Sequence, residues 1–286
     1  MISLLKETFK EFMEDKAMRL SAALAYYSVF SLAPLLIIAI SIAGSIFGEK
    51  AAEGAIQEQL TQTIGKEAAV AVESMISSAH LGGDSWIMTL VGIGALLVTA
   101  SGVFAQLKDA MNTVWGLKPK PGLGITGFLK GRLAALSMVL VIGFLLLVSL
   151  VADTASAVAI KWLGDALPIP GFLFQGITFT VSIGIVTLLF AMIFRILPDA
   201  EIRWSDVWKG AFLTAILFAI GKMLLGIYLG REGASSTYGA AGALILLLSW
   251  VYYSANILLL GAEFTQVYAR HRGRRIEPNE SAIRES

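Results

Sequence analysis

Six long apolar blocks decide what this chain can become. The last two show the pattern most plainly. Trp204-Ser205-Asp206-Val207-Trp208 leads into an apolar run from Gly210 to Leu229, and a short polar link, Gly230 to Thr237, follows. Tyr238-Gly239-Ala240-Ala241-Gly242-Ala243 then opens a second run, which closes at Leu260-Gly261-Ala262-Glu263-Phe264. Each run holds about twenty residues, and a helix rising about 1.5 Å per residue crosses a bilayer in that length. Backbone in hydrocarbon must bond to itself, so runs of this length imply helices. The reading is an all-α, polytopic integral membrane protein with six transmembrane helices and both termini inside. A helical external cap lies between the first and second helices.

Composition enters as a check. Hydrophobic residues make up 56% of the 286, and charged residues 15%, against about 25% charged in a soluble domain. The absence of cysteine rules out disulfides, thiol nucleophiles and cysteine metal sites. A net charge of +1 gives no basic field to attract nucleic acid.

The chain divides into three parts. Residues 1–19 read as an amphipathic interfacial helix, with Ile2, Leu5, Phe9, Phe12 and Met13 on one face and Lys6, Lys10, Glu11, Glu14 and Lys16 around the rest. The competing reading is a solvated helix packed on its neighbours. No cleavable signal peptide is visible in this stretch. Residues 20–269 form the transmembrane domain. Its first span, about Leu20 to Phe47, carries Pro34, which removes a backbone donor and kinks the helix. The external insertion 49–85 repeats apolar residues at helical spacing: Ala52, Ile56 and Leu60, then Ala68, Val72, Met75, Ile76 and Ala79. It reads as two short amphipathic helices capping the membrane surface. The second, third and fourth spans fall near 86–107, 133–152 and 172–196. Gly122-Leu123-Gly124-Ile125-Thr126-Gly127 matches a dinucleotide fingerprint in letters only, because no strand precedes it. Gly226 and Gly230 stand in GxxxG spacing, which permits close helix packing within or between chains. Residues 270–286 are a basic and then polar tail, expected to be disordered.

Several motifs carry a resemblance. They are Leu24-Ala25-Tyr26-Tyr27-Ser28, Ser31-Leu32-Ala33-Pro34, the stretch from Gln106 to Gly116, Leu197-Pro198, Trp208-Lys209-Gly210-Ala211, Tyr238-Gly239-Ala240, Trp250-Val251-Tyr252 and Gly261-Ala262-Glu263. Together they resemble the YihY/BrkB family of bacterial inner-membrane proteins. The resemblance implies a multi-pass protein of the bacterial plasma membrane, tied to the cell envelope and to resistance against serum killing. It fixes the family better than the activity.

Lysine and arginine set the orientation. One side collects four at the N-terminus (Lys6, Lys10, Lys16, Arg19) and five in the 108–132 loop (Lys108, Lys118, Lys120, Lys130, Arg132). It also has Arg195, Arg203 and Lys209, and five in the tail (Arg270, Arg272, Arg274, Arg275, Arg284). The other side keeps Lys50, Lys66, Lys161, Lys222 and Arg231 of the 22. Both termini are therefore expected in the cytoplasm.

Polar groups inside spans mark the candidates for function. Lys222 lies seven residues before Leu229, about 10 Å in from the end of its span at about 1.5 Å per residue. It either attracts an anionic group or snorkels to the interface. Asn256 is either helix glue or part of a polar path. Tyr26, Tyr27 and Tyr238 either line a cavity or belong to an aromatic belt; the belt is the default for Tyr238, whereas Tyr26 and Tyr27 lie inside a span and need hydrogen-bond partners there. Pro34, Asn112, Glu263, Gly239 and Gly242 are read as structural or interface positions, with Glu263 pairing Arg270 or a base of an inner loop. The cluster Arg270-His271-Arg272-Gly273-Arg274-Arg275 suits anionic lipid, at about 1 kcal/mol per charge.

Enzyme signatures are missing. His80 and His271 lie on opposite sides, so no HExxH zinc site forms, and there is no Walker A motif or Gly-x-Ser-x-Gly elbow. Parts of the similar family carry a ribonuclease label, but Asp109, Asp199, Glu201 and Asp206 show no nuclease pattern. No cofactor, metal or nucleic acid is implied. The expected partners are membrane lipids and an amphiphilic or anionic substrate, and a homo-oligomer stays open. Two functions remain in play: a transporter or flippase for a lipid or other amphiphile working without ATP, and a structural or scaffolding protein of the envelope. A membrane-associated ribonuclease is a distant third.

Overall fold

The computed structural model describes residues 2–48, 50, 53–54, 57–58, 60–61, 69–70, 72–74, 101–120, 171–229, 239–274 and 276–284. The third expected span, most of the second, the Gly122–Gly127 stretch and Tyr238 lie outside the described residues. Five long helices carry the fold: α1 (Ile2–Glu14), α2 (Ala17–Phe47), α3 (Gly171–Ile196), α4 (Trp204–Leu229) and α5 (Gly239–His271). Residues 101–114 add a further helical stretch. Segments Phe179–Ile196, Trp204–Leu224 and Leu244–His271, in α3, α4 and α5, are long and apolar enough to cross a membrane. The chain is thus a helical membrane protein with several spans.

α5 is the central element, touching α1, α2 and α4, while α3 packs on α4. Lys16, at φ 55°, breaks α1 from α2, so α1 folds back against α5 instead of continuing upward. α1 turns Thr8 and Phe12 inward and leaves Leu5, Phe9 and Met13 exposed. The helix thus packs on a neighbour and presents an apolar stripe on its outer side.

The α4–α5 contact is built on small residues. Thr214 donates to the Gly210 carbonyl at 2.7 Å, and Thr265 donates to the Gly261 carbonyl at 2.8 Å. Each helix thus carries Gly-x-x-x-Thr with its hydroxyl folded back on its own backbone. A β-carbon at Gly210 would collide with the Thr265 hydroxyl, and one at Gly261 with the Thr214 hydroxyl. Only glycine lets these helices approach so closely in the absence of a hydrophobic drive. Further along, Gly221 faces the Tyr253 ring, whose hydroxyl donates to the Leu217 carbonyl at 3.0 Å.

The tail departs from the expected disorder. Gly116, at φ 62°, ends the 101–114 helix in the left-handed turn that favours glycine. The next residues, β1 (Leu117–Pro119), pair antiparallel with β4 (Ala282–Arg284). β2 (Ala200–Glu201), between α3 and α4, pairs antiparallel with β3 (Glu277–Pro278). Ala282 is buried, so the tail has a packed side as well as backbone partners. Sequence polarity alone concealed this, because short paired strands need only one inward side chain.

The buried core is concentrated at this tail end, where Met111, Val114, Phe194, Val207 and Leu259 are fully enclosed.

Candidate functional site

Toward the other end, the 50–74 segment, expected to form a cap, packs against residues of α2, α4 and α5. Every described residue between 50 and 74 is helical. Gln57 donates to Glu73 at 2.9 Å, tying the two arms together. Val72 is fully buried in a cluster with Leu247 and Trp250, and Val29, Leu36, Leu60 and Phe218 pack around it. Trp250 lies eleven residues into α5, about 16 Å from that helix end at about 1.5 Å per residue. The hairpin's other face is acidic: Glu53, Glu58 and Glu73 stay exposed. Glu73 sits beside Val72 in the chain, and neighbouring Cα atoms are about 3.8 Å apart, so its depth is similar.

A polar stripe runs along α5. Asn256, Glu263 and Arg270 recur every seven residues and so share a face. Asn256 donates to the Tyr252 carbonyl at 2.8 Å, while its own oxygen is buried with no hydrogen-bond partner among the described residues. Glu263 is completely buried, and neither carboxyl oxygen makes a hydrogen bond of normal geometry among the described residues, although the Asp15 carboxyl lies beside it. Its charged surroundings are Asp15, Glu11 and Arg270. The expected Glu263–Arg270 pair does not form as a direct contact. The guanidinium instead reaches Glu7 at 2.7 Å and Glu11 at 3.0 Å, both on α1. Gln266 Oε1 and Ser254 Oγ are also buried without partners among the described residues.

The tail end holds a polar junction of the opposite character. Asn112 donates to Asp199 Oδ2 at 3.0 Å, and the Asp199 backbone N–H donates back to Asn112 at 2.8 Å. Lys108 pairs with Asp199 Oδ1 at 2.9 Å, and the Ser281 hydroxyl donates to the same oxygen at 3.2 Å. Asn279 closes the ring through its N–H on the Asp199 carbonyl at 3.0 Å. Burial pushes the Asp199 carboxyl up, but hydrogen bonds from Lys108 and Asn112 and the Lys108 charge together hold it below its usual value. Sequence reading found Asn112 and missed its partner. The available signal was Lys108 and Asn112 at i,i+4, one helical face presenting an ammonium and an amide to a nearby acid.

Other candidates are dispersed. Lys222 is exposed on α4, and no ion pair to it occurs among the described residues. Tyr26 and Tyr27 are exposed and meet edge to face at 5.9 Å, with Phe30 at 4.8 Å from Tyr26. Pro34 falls within α2, Gly239 opens α5, and Gly242 is buried. No hydrogen bond or ion pair among the described residues joins Lys222, Asn256, Tyr26 and Tyr27. An open cleft of about 460 Å³ is lined by Arg195, Ala200, Glu201, Ile202 and Arg203. The Arg195 guanidinium lies over the Trp204 ring at 4.9 Å, bringing a cation and an aromatic to the start of α4. No cluster of three histidine or acidic side chains able to hold a metal occurs among the described residues.

Comparison with known proteins fits this architecture. The chain is 28% identical to a "UPF0761 membrane protein" of Pseudoalteromonas translucida, over 85% of this chain and 78% of that protein. It is 29% identical to a "UPF0761 membrane protein" of Pseudomonas paraeruginosa, over 88% of this chain and 59% of the relative. A third, from Verminephrobacter eiseniae, is 27% identical over 91% of this chain and 60% of the relative. The chain thus spans about three fifths of the length of the latter two. No solved structure matches at a significant level. Residues 8–285 match the family described as "Virulence factor BrkB", and the chain belongs to that family.

Proposed function

We propose that this protein moves a lipid or another amphiphilic, anionic envelope component across the bacterial plasma membrane without ATP. The observation that carries the reading is the acidic hairpin. Glu73 is exposed next to Val72, which is buried against Leu247 and Trp250 within the apolar segment of α5. A carboxylate at the centre of a bilayer costs roughly 2.5–3.5 kcal/mol on insertion scales. Polar structure at such depth is tolerated where it lines water, so the hairpin borders an aqueous crevice between the helices. The unpartnered amide of Asn256 and the carboxyl of Glu263 extend polarity toward the tail end along α5. The Arg195–Arg203 cleft suits an anionic headgroup there. On the lysine and arginine distribution, the tail end is cytoplasmic.

Reconstitution tests this. Proteoliposomes carrying a fluorescent phospholipid should exchange it between leaflets faster than protein-free vesicles, and Glu58→Leu with Glu73→Leu should slow that exchange at least several-fold. If neither labelled lipid nor labelled organic anion moves above the protein-free rate, transport is excluded. The second reading is a scaffold. The ordered tail favours it, because Asp199, β2 and β1 hold the tail as a plate on which a partner would rest.

A further inference from the structure

We propose that Glu263 is a proton-binding site, loaded and emptied from the end of the molecule that carries the tail. Four observations converge on it. Glu263 sits in a helix apolar enough to span a membrane, and it is completely buried. Neither of its oxygens makes a hydrogen bond of normal geometry among the described residues. The nearby cation among the described residues, Arg270, is committed to Glu7 and Glu11 on α1. The groups facing Glu263 from the α1 side are themselves acids: Glu11 and, in the turn before α2, Asp15.

A structural carboxylate is recognisable by its donors, as at Asp199; among the described residues Glu263 has none of normal geometry, and the side chain it meets, Asp15, is a second carboxyl. What remains for such a group is to bind a proton. The exchange balances simply: a proton from water bonds to a carboxylate oxygen, and on release it returns to water. The route outward is short. Glu11 and Glu7 are partly exposed, and they surround an exposed Arg270. α4 adds no charge at this level, where Gly210 and Thr214 face Gly261 and Thr265. Seven residues deeper on the same face, the free oxygen of Asn256 offers the next polar stop, about 10 Å on at about 1.5 Å per residue. If the proton also drives transport, that role rests on the function proposed above; the binding does not.

The test is infrared titration of the whole chain in liposomes, following the carboxylic acid C=O stretch as pH is stepped from alkaline to acid. The expected result is a buried acid band that grows with acidification, vanishes in Glu263→Gln and persists in Glu280→Gln. Asp15→Asn should shift its midpoint, because it removes a facing carboxylate while keeping Glu263. This second variant keeps the test decisive if Glu263→Gln folds poorly. A wild-type chain with no titrating buried acid band overturns the proposal. So does a band that survives in Glu263→Gln, or a midpoint indifferent to Asp15→Asn. None of these outcomes depends on whether the protein moves lipid, so failure here and failure of the transport reading are separable.

Discussion

Two enclosed carboxyls, Asp199 and Glu263, were treated in opposite ways by this fold. Asp199 lies between α3 and α4 and receives an ammonium, an amide, a hydroxyl and a backbone N–H from two separated stretches of chain. Glu263 lies within α5 and receives no hydrogen bond of normal geometry among the described residues. Carboxylates removed from water without donors are costly, and fully partnered ones hold structure together. The difference teaches where to look for work as opposed to support: the satisfied acid ties the tail to the bundle, and the unsatisfied one is available to a ligand.

That contrast can be broken most easily at Asp199. Replacing it with alanine strands Lys108, Asn112, Asn279 and Ser281 together, and loss of one partner from a buried network costs about 3 kcal/mol. Thermal unfolding in detergent should show a clear drop for Asp199→Ala, with release of residues 276–284 to proteolysis. An unchanged midpoint would mean the junction holds nothing.

The glycine crossing comes next. Gly261→Ala drives a methyl into the Thr214 hydroxyl, and overpacking costs about 1–3 kcal/mol. Adding Thr214→Ser does not open space for it, whereas Thr214→Ala removes the colliding hydroxyl and should recover part of the loss. Unfolding midpoints of the single and double variants check this.

Acid sharpens the comparison further. The Asp199 carboxyl is held below its ordinary value in the folded state. Its contribution is therefore fully present above the unfolded-state value of about 3.9, and it is lost as pH falls through the lower folded value. Stability near neutral pH should be flat with respect to this group. The acid limb of a stability–pH curve should be shallower in Asp199→Asn than in the wild type.

The smallest effect belongs to Glu263→Gln. With no donor lost, the midpoint should move by under about 1 kcal/mol, far less than for Asp199→Ala. A larger loss would mean that Glu263 is a structural acid after all.

Much of the fold was legible in the sequence because long apolar runs admit only helices in lipid. The α4–α5 hairpin is where the runs from Gly210 and from Tyr238 placed it. Other features turn on single contacts that periodicity does not carry. The hairpin's apolar positions Leu60 and Val72 were visible, but spacing shows a buried face without showing what covers it, and Leu247 and Trp250 lie about 175 residues away in the chain. The tail looked too polar to fold, because its order depends on strand pairing with Leu117–Pro119 and Ala200–Glu201. Asn112 stood out inside a motif, whereas Asp199 resembled an ordinary loop acid until two separated stretches closed on it. Glu263 was read as pairing with Arg270 or a base of an inner loop, and Arg270 does stand one heptad away on the same face, yet α1 supplies Arg270 with better-placed acids.

The central claim is that the acidic face of the 50–74 hairpin lies in water at mid-bundle depth. The chain has no native cysteine, so Glu73→Cys gives one unique thiol for a membrane-impermeant maleimide applied to each side of sealed vesicles. The account predicts rapid labelling from the side opposite the tail, with slow labelling from the tail side. A thiol at residue 73 that stays unreactive from both sides, yet labels after detergent is added, would place this face in lipid or packed protein and contradict the crevice.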